Sequence, residues 1–231
     1  MSAAPSLCER LRAACADDWE ALHGHPFVLG IADGSLPLDT FRFYVEQNLM
    51  YLPEYARTMA LGASRADSVE TMRVFASELL NVVDSEIPQN EELLRRAIEL
   101  GARDRGGANG MAPATVAYTS FLVGTAARGG PLEIMAAIVP CTWSYREIGL
   151  RLAARVAEHP VYSKWIRFFG SDEYGRIVDS MRHDFEALAG GAAAGAESRL
   201  EWIFATGVRL ERGFWDMAYA LEHWPDVAVP G

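Results

Sequence analysis

The stretch ESRLEWIFATGVRLERGFWDMAYALE, residues 197–222, decides the fold class. Phe204, Val208, Glu211, Trp215 and Ala218 recur at steps of three and four, which puts them on one stripe of an α-helix. The same spacing recurs upstream. Cys8, Leu11, Cys15 and Trp19 form a stripe in a helix expected from about Leu7 to Leu22, which makes both cysteines core residues. Further helices are expected at about Thr40–Ala63, with a kink at Pro53, and at about Ser68–Leu100, broken or bent near Pro88. Others follow at about Ala114–Ala127, Leu132–Ala157, Val161–Phe169 and Glu173–Leu188. His25 and Pro26 open a connection, Asp39 is placed to cap the helix at Thr40, and the glycines between Gly101 and Pro113 make a loop. Ala189–Ala196, rich in Gly and Ala, reads as a flexible connector before the last helix. No strand is expected and no fixed-period repeat is present, so residues 1–231 read as one all-α, single-domain bundle.

Composition narrows the function. The 231 residues carry 31 acidic against 21 basic side chains, a net charge of -10, which disfavours a nucleic-acid binder. Six Trp, eight Tyr and ten Phe argue against disorder. Charges interrupt every apolar run before the ~20 residues that a membrane helix needs. Residues 1–20 lack the uninterrupted apolar core of an export signal, and three unclustered cysteines make no disulfide framework, so a soluble cytoplasmic protein is expected.

Several residues do more than a core requires. Glu211 puts a carboxyl in an apolar row, where burial would raise its pKa toward the range of a proton donor; the alternative is pairing with Arg209 or Arg212. Tyr44, Gln47, Asn48 and Tyr51 give one helix face phenols and amides, suited either to a polar aromatic ligand or to a buried network. Cys141 follows Pro140, with Tyr145 one turn on. A helix bent or restarted at Pro140 would place the thiol near free amides that lower its pKa and make it a nucleophile; otherwise Cys141 is packing. Other signals fall away. Glu20-Ala-Leu-His23 has no second copy to complete a di-metal site, the five histidines are scattered, and Gly106–Gly110 lacks the residues of a phosphate loop, so no metal and no organic cofactor are expected.

Taken in order, the motifs resemble the TenA family, the thiaminase II group of the all-helical haem-oxygenase-like superfamily. They are HPFVLGIADGSLP from His25, FYVEQNLMYL from Phe43, Tyr118-Thr-Ser, PCTWSYREIG from Pro140, HPVYSKWI from His159 and ERGFWDMAY from Glu211. The resemblance implies hydrolysis of an aminopyrimidine, 4-amino-5-aminomethyl-2-methylpyrimidine to its hydroxymethyl form, for thiamin salvage, and in many members cleavage of thiamin. It implies Cys141 as nucleophile, Glu211 as acid, and Tyr51, Tyr118 and Tyr145 as pocket tyrosines, with Tyr44 beside them. It also implies a homo-oligomer, commonly a tetramer. Three positions depart from the family pattern: Asn48 replaces an aspartate, Phe169 a tyrosine, and Asn90 a histidine. Asn48 and Phe169 each remove a polar handle from the substrate site and point to an altered substrate preference. Two other readings stay open: a non-catalytic ligand-binding or regulatory protein, and a metal- or haem-dependent redox enzyme of the same fold.

Overall fold

Burying a wide apolar stripe requires a partner of matching shape, and two of the long helices supply it for each other. In the computed structural model, which describes residues 5–153, 158–191 and 195–225, the helix Ala196–Ala220 (α11) packs along Pro131–Ala153 (α8). Gly207 permits the close approach, because a Cβ there would meet Ala137 O and Pro140 Cγ, each at 3.2 Å. This seam holds Cys141 and Glu211 on facing helices. Gly149 does the same more than two turns further along α8, against the backbone of Phe169 and Gly170, at the end of the helix Tyr162–Phe169 (α9).

The remaining helices close around that seam. Leu7–Ala14 (α1) and Ala16–His23 (α2) lie against α11. Pro26–Asp33 (α3) leads into Leu38–Ser64 (α4), which is packed by Val69–Asn81 (α5), Ile87–Glu99 (α6) and Pro113–Arg128 (α7). Asp172–Ala189 (α10) covers the other side of α8. Among the described residues there is no strand, one hydrophobic core joins all these helices, and none is long and apolar enough to cross a membrane.

Four local features differ from the sequence reading, and a fifth gives the expected break near Pro88 its form. The expected first helix is two, because Cys15 leaves helical geometry at φ −122°, ψ 33°; its stripe is nevertheless buried, as are both cysteines. Residues 26–33, expected as connection, are helical: His25 caps the start by accepting the Phe27 amide at 3.1 Å, and Pro26 occupies the first turn, where its missing N–H costs nothing. Asp39 does not cap α4, which begins at Leu38; its carboxylate reaches across to the Arg103 amide and to Arg105. The break near Pro88 is a π-helical turn, Val82–Glu86, between α5 and α6. Finally, α8 runs through Pro140 without restarting, so Cys141 stands mid-helix and far from any free helix N-terminus. Residues 154–157 and 192–194 of the expected helix and connector lie outside the described residues.

Candidate active site

Seven elements converge on one cavity beside the α8/α11 seam. α4 contributes Asn48, Tyr51, Leu52 and Tyr55; the π-turn Glu86; α7 Tyr118; α8 Cys141, Thr142 and Tyr145; and α11 Glu211 and Phe214, with Phe169 and Tyr174 completing the wall. Seven of the eight residues that the sequence reading assigns to catalysis or substrate binding therefore meet here. Tyr44 does not: it is fully buried behind the wall, accepting from Trp165 Nε1 at 3.3 Å and lying 3.4 Å from the Tyr145 hydroxyl. It braces Tyr145 and touches no open space. Gln47 is structural too, since its amide pins the 101–112 loop through Gly107 O, Gly110 O, the Ala112 amide and Thr115.

Electrostatics set the state of the two reactive groups. Glu211 is 2% exposed and neither arginine pairs with it: Arg209 bonds Asp18, and Arg212 faces Asp216. Burial raises its carboxyl to about 7, with hydrogen bonds from Tyr118 (2.5 Å) and the Cys141 thiol pulling the other way. The thiol is pushed well above its ordinary value, first by burial and then by the adjacent Glu211. At rest Cys141 is thus a protonated thiol in contact with a carboxyl group that can take its proton, a setting different from the helix amides expected from the sequence.

The polar wall is fixed by a relay of amides. Asn90 Nδ2 donates to the Glu86 carbonyl at 2.8 Å, which turns its Oδ1 toward Asn48; Asn48 Nδ2 donates to that oxygen at 3.0 Å. This leaves Asn48 Oδ1 as the free acceptor at the cavity. One phenol is left over as well. The Tyr55 hydroxyl is buried and has no hydrogen-bond partner among the described residues, a costly arrangement unless something else supplies one, while the Tyr51 hydroxyl faces the Cys141 thiol and Tyr118. Tyr51 lies tilted against Tyr118, ring planes at 42° and centroids 5.0 Å apart, and Phe169 meets Tyr145 edge-on at 4.7 Å.

Glu86, Tyr55, Thr142, Tyr174 and Phe214 were missed by sequence reasoning. Phe214 lies one turn past Glu211 and was reachable from helical spacing. Glu86 was not, because only the widened turn before Pro88 brings it to the cavity. No three His, Cys, Asp or Glu side chains converge to hold a metal ion among the described residues. His23 and His25 are committed elsewhere, to Trp19 O and Glu147, and to Asp216.

The model of the TENA/THI-4/PQQC family matches residues 12–221. An aminopyrimidine aminohydrolase of Halalkalibacterium halodurans is 38% identical over 97% of this chain and 98% of its own. The crystallised TenA homologue of Pyrococcus horikoshii superposes with a TM-score of 0.83 at 28% identity, covering 94% of this chain and 99% of the other. A Shewanella denitrificans domain described as having a haem oxygenase-like fold superposes at 0.68 with 14% identity, over 92% and 91% of the two chains, a likeness of fold alone. With a match over most of its length, and with the helices that carry the cavity inside that match, the chain belongs to the TENA/THI-4/PQQC family.

Proposed function

We propose that this protein is an aminopyrimidine hydrolase that replaces an exocyclic amine on a pyrimidine by hydroxyl, the aminomethyl compound of thiamin salvage being the first substrate. The observation that carries this reading is the contact between the Cys141 thiol and the Glu211 carboxyl at one aromatic cavity. The likeness to the aminopyrimidine aminohydrolase of H. halodurans supports it. Glu211 takes the thiol proton as the thiolate adds to an electron-poor ring carbon, and passes that proton to a ring nitrogen. The electron pair of the adduct, freed as Glu211 takes back the ring-nitrogen proton, then expels the amine, bound in its ammonium form, from the exocyclic carbon as ammonia. Water adds at that carbon while Glu211 reprotonates the ring nitrogen and accepts the water proton. The thiolate then leaves and regains the ring-nitrogen proton, so the net change is ammonium plus water to alcohol plus ammonia and the one proton that the ammonium brought. Asn48 Oδ1 accepts from the ring amino group, the same acceptor that a carboxylate oxygen would offer; Tyr51, Tyr118, Tyr145 and Phe169 hold the ring. Thiamin, with a larger leaving group on the same carbon, is the second substrate to try. We further propose a cytoplasmic homotetramer.

Purified protein and its Cys141→Ser variant, each given aminomethylpyrimidine and thiamin, test the reading through ammonia and thiazole release. Turnover by the unaltered protein alone supports hydrolysis. Binding without turnover in both forms replaces it with a ligand-binding role.

A further inference from the structure

The cavity holds a second carboxyl that the chemistry above does not use. Glu86 stands in the π-turn, where the Ile87 amide reaches back to Val82 O, and its side chain lines the cavity together with Cys141 and Glu211. A regular helix turns about 100° per residue, so accommodating one extra residue before Pro88 changes which side chains face inward. The turn is locked in place from the ligand side, because its carbonyl holds Asn90 and, through it, Asn48.

The carboxyl itself is under-used. Oε1 accepts one bond, from Asn81 at 3.2 Å, and Oε2 accepts none among the described residues. No lysine or arginine lines the cavity, and the charged neighbours are of the same sign: Glu78 on α5 and Glu211 on α11. Burial accordingly raises Glu86 to about 7. A cavity with surplus acceptors and no cation is built for a ligand that brings donors and positive charge. Glu86 Oε2 and the unpartnered Tyr55 hydroxyl are two acceptors in the same cavity as the Asn48 Oδ1 that takes the ring amino group, and a protonated primary amine has N–H donors for both.

We propose that Glu86 is the substrate-binding residue for the exocyclic ammonium group, and that it makes the pocket prefer an aminomethyl over a hydroxymethyl pyrimidine. This deepens the hydrolase reading and rests on it for the choice of ligand. It also gives the product a reason to leave: once the amine is gone, the neutral hydroxyl no longer pairs with this carboxylate.

The test is equilibrium binding, by calorimetry, of 4-amino-5-aminomethyl-2-methylpyrimidine and its hydroxymethyl counterpart to the Cys141→Ser protein, in which turnover is blocked. The amine is expected to bind on the order of tenfold more tightly than the alcohol, the size of one charged hydrogen bond. Adding Glu86→Gln should bring the two within about twofold, with the alcohol unchanged. Glu86→Asp, which keeps the charge, should retain part of the preference. A preference that survives Glu86→Gln, an equal weakening of both ligands, or binding of neither would overturn the proposal. So would failure of both Glu86 variants to fold, which would assign the residue to the scaffold. Turnover by the unaltered protein is read separately: a protein that hydrolyses neither aminomethylpyrimidine nor thiamin but shows the Glu86-dependent preference loses the hydrolase reading and keeps this one.

Discussion

Two carboxyl groups flank α8, and their surroundings drive them in opposite directions. Glu211 reaches α8 from α11 and meets a thiol and a phenol, with no cation in range. Glu147, six residues beyond Cys141 on the other face of α8, has 19% of its side chain exposed. Burial alone would raise it too, but His23, Trp19 and Arg12 outweigh that, and its carboxyl lies below the usual range. The difference is the partner set, more than the depth of burial. Glu147 joins the N-terminal helices to α8 and stays ionised. Glu211 is left without a counter-charge, and a carboxyl in that condition can hold or release a proton near neutrality.

If the cavity is the reacting half of this pair, its thiol is the most sensitive atom in the protein. Cys141→Ser should lower hydrolysis by about 10³-fold or more while moving stability by less than about 1 kcal/mol, since only one atom changes. Product formation by chromatography, beside thermal unfolding, checks both halves. Residual turnover near that of the unaltered protein would remove the nucleophile from the scheme.

Glu211→Gln comes next, with an expected loss of about 10²-fold or more in kcat. Its effect on stability sharpens the comparison. Because the folded protein holds the Glu211 proton more tightly than the unfolded chain does, the contribution is greatest below the unfolded value of 4.5 and is lost as pH rises through about 7. Glu86 and Glu78, raised to about 7 and about 8, act with the same sign. Between pH 5 and 8 the unaltered protein should therefore lose stability, and Glu211→Gln should flatten that loss by about 2 kcal/mol in denaturant unfolding at the two pH values.

Glu147→Gln should do the reverse. Removing the charge that Arg12 and His23 face is expected to cost about 1–3 kcal/mol above pH 5, with kcat unchanged within about twofold. A fall in kcat comparable to that of Glu211→Gln would show that the two groups are not separate systems. No pH dependence of opposite sign in the two variants would show the same.

The two regions were unequally legible in the sequence. Helical spacing exposed Glu211, because a carboxyl on a stripe of Phe204, Val208 and Trp215 is visible against its neighbours. It also led to the polar face of α4, where Asn48 and Tyr51 reach the cavity, but spacing does not separate those two from Gln47 and Tyr44, which neighbouring segments consume. Pro26 misled because a proline that breaks a helix interior also suits its first turn. Pro140 misled in the opposite sense, since α8 tolerates it where Gly207 lets α11 press against its ring. Glu86 was hidden most completely. Residues 82–92 are polar on most sides, and an irregular turn, which has no period, determines which of them faces inward.

The smallest expected effect concerns Asn48, where a carboxylate would join the pocket. Asn48→Asp replaces the amide that donates to Asn90 Oδ1 by a group that donates only when protonated, and Asn90 cannot turn over without abandoning the Glu86 carbonyl. The new carboxyl would also find no cation, like Glu211 and unlike Glu147. The variant should therefore be about 1–2 kcal/mol less stable than the parent at pH 8 and recover much of that at pH 5, where the added proton can bridge to Asn90. Toward substrate the change should be slight, because Asn48 Oδ1 already offers the acceptor that a carboxylate oxygen would, so KM for aminomethylpyrimidine should shift by less than about threefold. A gain well beyond that would mean that the pocket prefers a different ligand, and that the substitution at position 48 restores a charge which the amide does not replace.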